Sequence, residues 1–166
     1  MASILMEKVK QYITKYDLTV EELPCDSDFA DTASFCEKYG FSLEQSANTI
    51  IVMSKKVDPV KYAVCVVLAS TRLDVNKKVT KLLGVKRASF ADAEMTKRLT
   101  DMEIGGVVAV GIDDLPIFID EHVLCQKKII MGGGNRTSKI VLQPDELRKL
   151  QNVSVVDMTV GADEHI

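Results

Sequence analysis

The chain has 166 residues, of which 46% are hydrophobic, so its length and composition fit one globular domain with a buried core. Its net charge of -3 excludes a globally basic nucleic-acid-binding protein but leaves room for a local basic patch. The four cysteines form no Cys-x-x-Cys pair, and the N-terminus resembles no leader peptide. We therefore expect a cytoplasmic soluble protein that needs no metal and no cofactor.

The first part of the chain predicts two helices and one strand. Apolar residues at helical spacing predict an amphipathic helix over residues 4–15, and Asp-Leu-Thr-Val-Glu-Glu-Leu-Pro at 17–24 predicts a short strand that ends at Pro24. Asp31 is a good N-cap residue and Gly40 a good C-cap residue, so a second helix is expected from Thr32 to Tyr39.

The middle of the chain predicts a hairpin and two helices. Two apolar runs at 49–53 and 62–69 are typical of paired strands buried on both faces. Asp74 is expected to cap a helix that ends at Leu83, and a further helix is expected over 91–99. The remaining strands are predicted at 115–121, at 128–131, in the Lys-Ile-Val-Leu run after Ser138 and at 153–156.

This order of elements lacks the regular strand-helix-strand alternation of a doubly wound fold. The predicted fold class is therefore α+β, with a mixed, largely antiparallel sheet or a partly open barrel and packed helices. The domain is predicted to span residues 1–158, followed by a polar tail at 159–166.

The most distinctive stretch runs from Met131 to Pro144. Here Gly132, Gly133 and Gly134 precede Asn135 and Arg136, and a strand follows. Consecutive glycine N–H groups can form a concave donor nest for an anion, to which an arginine adds a charged fork; the alternative is a simple hairpin corner. A Walker A loop and a dinucleotide fingerprint are excluded, because in both motifs a helix follows the glycines.

Two other features are candidates for function. His122 follows an Asp-Glu pair and is a candidate general base, although a lone histidine at a strand end is more often structural. A local basic patch is conceivable around the central lysines and arginines, although most such residues belong to ordinary solvated helix faces. The members of this group are Arg72, Lys77, Lys78, Lys81, Lys86, Arg87, Lys97 and Arg98.

Several segments in the same order resemble the YbaK/prolyl-tRNA synthetase-associated domain family, the free-standing relatives of an editing insertion in bacterial prolyl-tRNA synthetases. The resemblance covers about residues 31–150. Its segments are Leu-Glu-Gln-Ser-Ala-Asn-Thr-Ile-Ile-Val at 43–52, Leu-Asp at 73–74 with the helix that ends at Leu83-Gly84, Ile-Gly-Gly-Val-Val-Ala at 104–109, Leu-Pro-Ile-Phe-Ile-Asp-Glu at 115–121, and the glycine triplet through Pro144.

The resemblance implies a trans-acting aminoacyl-tRNA deacylase, an editing hydrolase that cleaves a mischarged aminoacyl ester at the tRNA 3′ end. Its partner would be the 3′ end of a tRNA carrying an amino acid, without a membrane or a metal. The alternative is a non-catalytic module on the same fold that binds an aminoacyl or nucleotide end, or a protein partner. A third alternative is an unrelated phosphate-ligand protein built around the glycine triplet.

The family's functional residues carry over unevenly. Gly105 or Gly106 corresponds to the backbone glycine that polarises the ester carbonyl, and Asn48 occupies the position of the family's lysine. Thr49, Gly132, Gly133, Gly134, Asn135 and Arg136 would bind substrate. If Gly105 is the match, Ala109 stands where the family has a proline, which leaves φ less restricted there.

The change at Asn48 bears most directly on activity. An amide can hydrogen-bond a hydroxyl or water but lacks the ammonium charge. Losing one charge-assisted contact costs about 1.5–3 kcal/mol, which corresponds to roughly one to two powers of ten in rate. Lys55, Lys56 and Lys139 are the candidates for a replacement cation.

Overall fold

The computed structural model of the protein describes residues 3–161. The α-helices in this range are α1 (Glu7–Lys15), α2 (Thr32–Tyr39), α3 (Thr80–Leu83) and α4 (Ala93–Thr100). A π-helical segment, Val75–Val79, leads into α3, and short 3-10 helices lie at Ser27–Phe29, Glu121–Cys125 and Pro144–Lys149. None of the helices between residues 3 and 161 is long and apolar enough to cross a membrane.

The strands are β1 (Glu21–Pro24), β2 (Ala47–Ser54), β3 (Tyr62–Leu68), β4 (Thr71–Leu73), β5 (Ala88–Phe90), β6 (Ile117–Asp120), β7 (Ile129–Gly132), β8 (Ser138–Leu142), β9 (Val153–Val156) and β10 (Thr159–Gly161). They form a five-stranded sheet in the order β5-β2-β3-β6-β9, a three-stranded sheet β1-β8-β7 and a two-stranded sheet β10-β4. Only the β3–β6 and β6–β9 pairs are parallel. The predicted α+β class with a mixed, largely antiparallel sheet is confirmed, and the described strands form no closed barrel.

The strongest local signals gave the correct elements. The bounds of α2 agree with the prediction, because Gly40 adopts φ +78°, the left-handed conformation that ends a helix at low cost for glycine. β2 and β3 pair antiparallel as the predicted hairpin. Every residue of β3 from Ala63 to Leu68 is buried, which confirms the burial on both faces that its continuous apolar run predicted.

Weaker signals were misread. Residues 88–90 form β5, which pairs antiparallel with the end of β2. This strand was not predicted, because three residues are too few to show an alternating pattern. The helix predicted after Asp74 is divided into the π-helical segment and α3. The segment at 104–111, which the sequence left open between a strand and a loop, forms turns.

The chain continues as a strand beyond residue 158, where the polar tail was predicted to begin. Thr159–Gly161 form β10, which pairs antiparallel with β4. Thr159 is buried, and its hydroxyl donates to the carboxylate of Asp120 at 3.0 Å. A buried hydrogen-bond partner from a distant strand therefore orders residues that look polar and terminal in the sequence. The rest of the predicted tail, 162–166, lies outside the described residues.

Two apolar layers cover the five-stranded sheet. One contains Val64 and Val66 of β3 together with Val9 and Tyr12 of α1. The other contains Cys65 and Val67, which alternate with them along β3. Burial raises the pKa of the Cys65 thiol to about 12, so this cysteine behaves as a small core residue, as its apolar strand predicted.

The five-stranded and three-stranded sheets meet at the start of β2. Ser46 forms a parallel bridge with Ile130 of β7, and the Ile130 N–H donates to the Gln45 carbonyl at 2.8 Å. This junction brings the first residues of β2 beside the ends of β7 and β8. A concave surface is left between these strands, α2 and the loop at 104–107.

Candidate functional site

The junction holds a cavity of about 280 Å³. One part of its wall is apolar, with side chains that include Phe35, Ile51 and Met131. The polar and glycine residues of the wall are Asp31, Thr32, Ser46, Asn48, Thr49, Thr96, Gly105, Gly132 and Lys139. The combination of a concave apolar wall and a few convergent polar groups is typical of a small-molecule or substrate-binding site.

The structure brings together four of the residues predicted for the site. Asn48 and Thr49 of β2, Gly105 of the loop and Gly132 of β7 all line this cavity, although they are far apart in the chain. Gly106, Gly133, Gly134, Asn135 and Arg136 do not line it. Their contacts within the protein are described below.

Gly105 and Gly106 differ in what their backbone can offer a ligand. The Gly106 N–H donates to the Glu103 carbonyl at 2.8 Å, so this donor is already used. The Gly105 N–H has no hydrogen-bond partner in the part of the chain that the structure describes. Gly105 also has φ +95°, and a Cβ there would come within 3.1 Å of the Asp31 carboxylate. Only glycine fits this position, and its N–H is available.

The glycine triplet does not form the anion nest that the sequence suggested. The Gly133 N–H donates to the Ser138 carbonyl at 3.1 Å, and the Gly134 N–H donates to the Gly106 carbonyl at 2.7 Å. A Cβ on Gly132 would lie within 3.0 Å of the Gly106 Cα, and a Cβ on Gly106 would overlap the Asn135 carbonyl. The glycines let two backbone segments cross at close range, which is why side chains are absent there.

Arg136 acts as a clamp behind Gly105. Its guanidinium donates to the carbonyls of Ile104 and Ser27, both at 2.7 Å, and to the Asp31 carboxylate at 3.2 Å. These bonds hold the connection between β7 and β8 against the loop that contains Gly105 and against the start of α2. The planar arginine fork that the sequence assigned to a ligand is occupied by the protein's own acceptors.

Asn135 has a comparable structural role. Its amide nitrogen donates to the Ile4 carbonyl at 3.1 Å, while its side-chain oxygen accepts from Thr137 N–H and the Ser138 hydroxyl. An asparagine that bonds to the backbone two residues ahead stabilises a turn. Asn135 therefore shapes the connection between β7 and β8.

Only one of the two polar atoms of the Asn48 side chain is hydrogen-bonded within the described residues. Its oxygen accepts a hydrogen bond from the Thr32 hydroxyl at 2.6 Å. Its amide nitrogen has no hydrogen-bond partner among residues 3–161, and every buried side-chain nitrogen or oxygen in that range has one. The Asn48 amide nitrogen is therefore accessible, and it is a neutral donor at the cavity.

Thr49 connects β2 to the segment that follows Gly105 and Gly106. Its hydroxyl oxygen accepts a hydrogen bond from the Ala109 N–H at 3.1 Å. A proline at Ala109, as in the family pattern, could not donate this bond. The protein therefore fixes the loop by a hydrogen bond where a proline ring would have restricted φ.

Lys139 is the cation of the cavity. It lies on β8 and is only 5% exposed, and its ammonium donates to the carbonyl oxygens of Ala30 at 2.6 Å and Gly105 at 2.7 Å. The ammonium also sits 5.3 Å from the centre of the Phe35 ring. No carboxylate of the described residues lies within 4 Å of it. Burial lowers the pKa of this lysine.

A lysine ammonium has three N–H donors, and two of them are used here. Of the three lysines named as candidates for a replacement cation, Lys139 alone lines the cavity. Lys55 and Lys56 follow the opposite end of β2. The Ser-Lys-Ile-Val-Leu pattern indicated a strand but not which face its lysine would occupy.

His122 lies away from the cavity. Its Nδ1 is 2.8 Å from the buried carboxylate of Asp120, which also accepts from the Met158 N–H at 2.8 Å. The hydrogen bond to Asp120 raises the pKa of His122. This pair secures the chain before β10, which agrees with the structural alternative for the histidine. Residues 3–161 contain no cluster of three or more side chains suited to hold a metal ion.

Comparison with known proteins shows which family this fold belongs to. The family model of the aminoacyl-tRNA editing domain matches residues 26–150. The chain belongs to this family, which confirms the resemblance seen in the sequence segments.

The fold is shared by several solved structures. The crystal structure of the hypothetical protein APE2540 is 26% identical, with a TM-score of 0.82, and the match covers 93% of this chain and 100% of that one. A candidate trans-editing enzyme for prolyl-tRNA synthetase is 24% identical, with a TM-score of 0.79 over 97% of this chain and 100% of that chain. A scaffold protein used for computational epitope grafting is 23% identical, with a TM-score of 0.79 over 96% and 100%.

Proposed function

We propose that the protein is a trans-acting aminoacyl-tRNA deacylase. The reaction is hydrolysis of the ester between a mischarged amino acid and the terminal ribose of a tRNA: water adds to the carbonyl carbon, the ester C–O bond breaks, and the ribose hydroxyl and free amino acid are released. The observation that carries the proposal is the cavity lined by Gly105 and Lys139: the Gly105 N–H has no partner among the described residues, and the Gly105 carbonyl accepts from the buried Lys139 ammonium. Membership of the editing-domain family supports the reaction class.

Gly105 is the group proposed to polarise the ester. A backbone N–H held in place before the reaction stabilises the negative charge that develops on the carbonyl oxygen, and in a water-poor site this effect is large. Arg136 holds the Ile104–Gly105 peptide, which carries this N–H, through the Ile104 carbonyl, and Lys139 holds the next peptide through the Gly105 carbonyl. Gly106 is not proposed for this role, because its N–H is bonded to Glu103.

Lys139 is proposed to supply the positive charge that Asn48 lacks. Its ammonium bonds to the Gly105 carbonyl, it has no carboxylate within 4 Å among the described residues, and one of its three donors is uncommitted. A buried charge without an anionic partner is costly, and an anionic or strongly dipolar ligand would offset that cost. The Asn48 amide then contributes a neutral hydrogen bond to a ribose hydroxyl or to the attacking water.

The described residues that line the cavity contain no serine-histidine-aspartate arrangement, and His122 with Asp120 lies elsewhere. A water molecule assisted by a substrate ribose hydroxyl is therefore the proposed nucleophile. The apolar wall formed by Phe35, Ile51 and Met131 suits an uncharged amino-acid side chain. A cytoplasmic location agrees with a tRNA substrate.

A panel of mischarged tRNAs tests the proposal. We expect the protein to hydrolyse at least one aminoacyl ester well above the rate in buffer, and the absence of hydrolysis for every ester at high protein concentration would refute it. The variant Asn48→Lys should hydrolyse faster if cavity charge limits the reaction. An equal or lower rate would show that the amide makes a contact of its own.

The second candidate is a binding module that has lost catalysis on the same fold. Asn48 favours it, because the family's charged side chain is replaced by a neutral amide. A nonhydrolysable aminoacyl-adenosine would distinguish the two candidates. Tight binding of this analogue, together with no turnover of any aminoacyl ester, would favour the binding module.

A further inference from the structure

A dense group of positive charges lies outside the cavity. Lys55 and Lys56 follow β2, and Lys86 and Arg87 precede β5; these four exposed side chains line one surface cleft of about 350 Å³. We call this surface the basic cleft. It is notable because the whole chain has a net charge of -3.

The charges of the basic cleft are not neutralised by the protein. None of the four has a carboxylate within 4 Å among the described residues, whereas Lys10, Lys78 and Lys149 each form an ion pair elsewhere on the surface. Within 55–61 and 84–87, the segments that form the cleft and its edge, Asp58 is the only acidic residue. Like charges at close range repel each other, so the cleft is suited to an anionic partner.

The fold holds the two halves of the cleft together. The Lys55 N–H donates to the Arg87 carbonyl at 2.9 Å, which continues the pairing of Ser54 with Ala88 between β2 and β5. Lys61 adds a fifth exposed cation beside the cleft, and its ammonium donates to the Leu83 carbonyl at 3.2 Å. The positive charges are therefore concentrated by backbone pairing.

Strand β5 connects the basic cleft to the candidate site along the chain. β5 runs from Ala88 to Phe90, and the next residue, Ala91, lines the cavity. Phe90 is 58% exposed, the most exposed of the large hydrophobic side chains in the described range. The four residue steps from Arg87 to Ala91 span about 13 Å at roughly 3.3 Å per residue, which is close to the rise of about four stacked nucleotides.

We propose that the basic cleft and Phe90 bind the single-stranded 3′ end of an RNA and lead it to the cavity. The four cations contact backbone phosphates, and Phe90 stacks on a base between the cleft and the cavity. An electropositive groove combined with an exposed aromatic ring is the usual means of binding a single strand without sequence preference. The proposal rests on the proposed function, since it assigns the surface that the tRNA substrate would occupy.

The test compares two substrates that differ in their phosphates. One is a mischarged tRNA hydrolysed by the wild-type protein, and the other is the matching aminoacyl-adenosine ester, which has no phosphate. The variants are Lys86→Glu/Arg87→Glu and Phe90→Ala. Lys127→Glu/Lys128→Glu is the matched control, because both of its lysines are exposed and lie outside the basic cleft.

We expect the double charge reversal to raise the KM for the tRNA at least tenfold. The slope of the logarithm of the binding constant against the logarithm of the salt concentration should fall by about 1.4, at roughly 0.7 for each of two lost phosphate contacts. Phe90→Ala should weaken binding roughly 5- to 150-fold. Hydrolysis of the adenosine ester should stay unchanged in all variants. The proposal is overturned if the cleft variants behave like the control variant while wild-type hydrolysis is normal.

A binding measurement separates this proposal from the proposed function. If the wild-type protein hydrolyses neither substrate, a fluorescent four-nucleotide RNA reports on the surface alone. Loss of anisotropy change in Lys86→Glu/Arg87→Glu, with binding kept in the control, would support the RNA surface. Absence of RNA binding by the wild-type protein, or binding of an acidic peptide in preference to RNA, would overturn it.

Discussion

Replacing Lys139 with methionine is the sharpest test of the cavity's electrostatics. Methionine is unbranched and apolar and fills a similar space, so the substitution removes the charge with little change in shape. It deletes the ammonium bonds to the carbonyls of Ala30 and Gly105. If Lys139 supplies the charge that acts on the ester, kcat/KM should fall by a contact worth about 1.5–3 kcal/mol, or roughly 10- to 150-fold.

The effect on stability should be much smaller than the effect on rate. Two carbonyl groups lose their donor, at a cost of about 1–3 kcal/mol for each acceptor that stays buried and unpaired. Against this, the fold no longer carries a buried ammonium without a carboxylate partner, a burden of several kcal/mol. Because the two terms oppose each other, we expect the Tm to shift by only a few degrees.

The assay is single-turnover deacylation of a mischarged tRNA, with thermal unfolding measured on the same preparations. Lys127→Met is the matched control, because it removes one exposed lysine outside the cavity. The double variant Lys139→Met/Asn48→Lys returns one ammonium to the cavity from β2. Recovery of at least part of the lost rate in this double variant would show that charge, rather than the shape of the lysine, is what matters.

The reasoning would be refuted by a Lys139→Met protein that keeps its rate within twofold of wild type, whatever its Tm. That result would mean that the ammonium serves only to satisfy two carbonyl groups. If Lys139→Met loses both Tm and activity, the double variant distinguishes loss of stability from loss of the proposed catalytic charge. Rate recovery without recovery of Tm assigns the loss to chemistry.

Two further predictions concern the framework of the site and the pH dependence of stability. Gly106→Ala should lower the Tm by about 4–8 °C, because its Cβ would overlap the Asn135 carbonyl and overpacking costs about 2 kcal/mol. The control Gly40→Ala should lower the Tm less, because a Cβ there meets open space and only the φ of +78° is unfavourable. Equal losses of Tm in the two variants would contradict the crossing of the two backbones. The hydrogen bond to Asp120 raises the pKa of His122, so its stabilisation is fully present below the unfolded value of about 6.5 and is lost as pH rises through the folded value. Wild type should therefore lose more stability than His122→Gln between pH 6 and pH 8 in urea unfolding; identical pH dependence in the two proteins would count against this pair.

Much of the fold was predictable because its signals are local. The helix α2 has an aspartate at its N-cap position and a terminal glycine within ten residues, and the β2–β3 hairpin has two long apolar runs. β5 and β10 have only three residues each, and they form because β2 and β4 supply their hydrogen bonds. Such short strands have no period of their own, so their sequences alone could not reveal them.

The glycine segments show the same division for the site. Three glycines in a row correctly indicated a backbone that tolerates no side chain. The sequence could not show what approaches that backbone. The neighbour is the Gly106 segment, about 26 residues away in the chain, and it takes the N–H group of Gly134 that an anion nest would need.

The sequence by itself determined the family, the α+β class and the residues of β2 and the glycine loop that meet at the cavity, because caps, apolar runs and glycines act on their own neighbourhood. Only the tertiary structure decided which groups remain free to act. It left the N–H of Gly105 available and used that of Gly106, turned Arg136 into a clamp, and directed Lys139 into the cavity. Availability of a donor or a charge depends on which distant groups satisfy it, and those partners are set by packing between segments that are far apart in the chain.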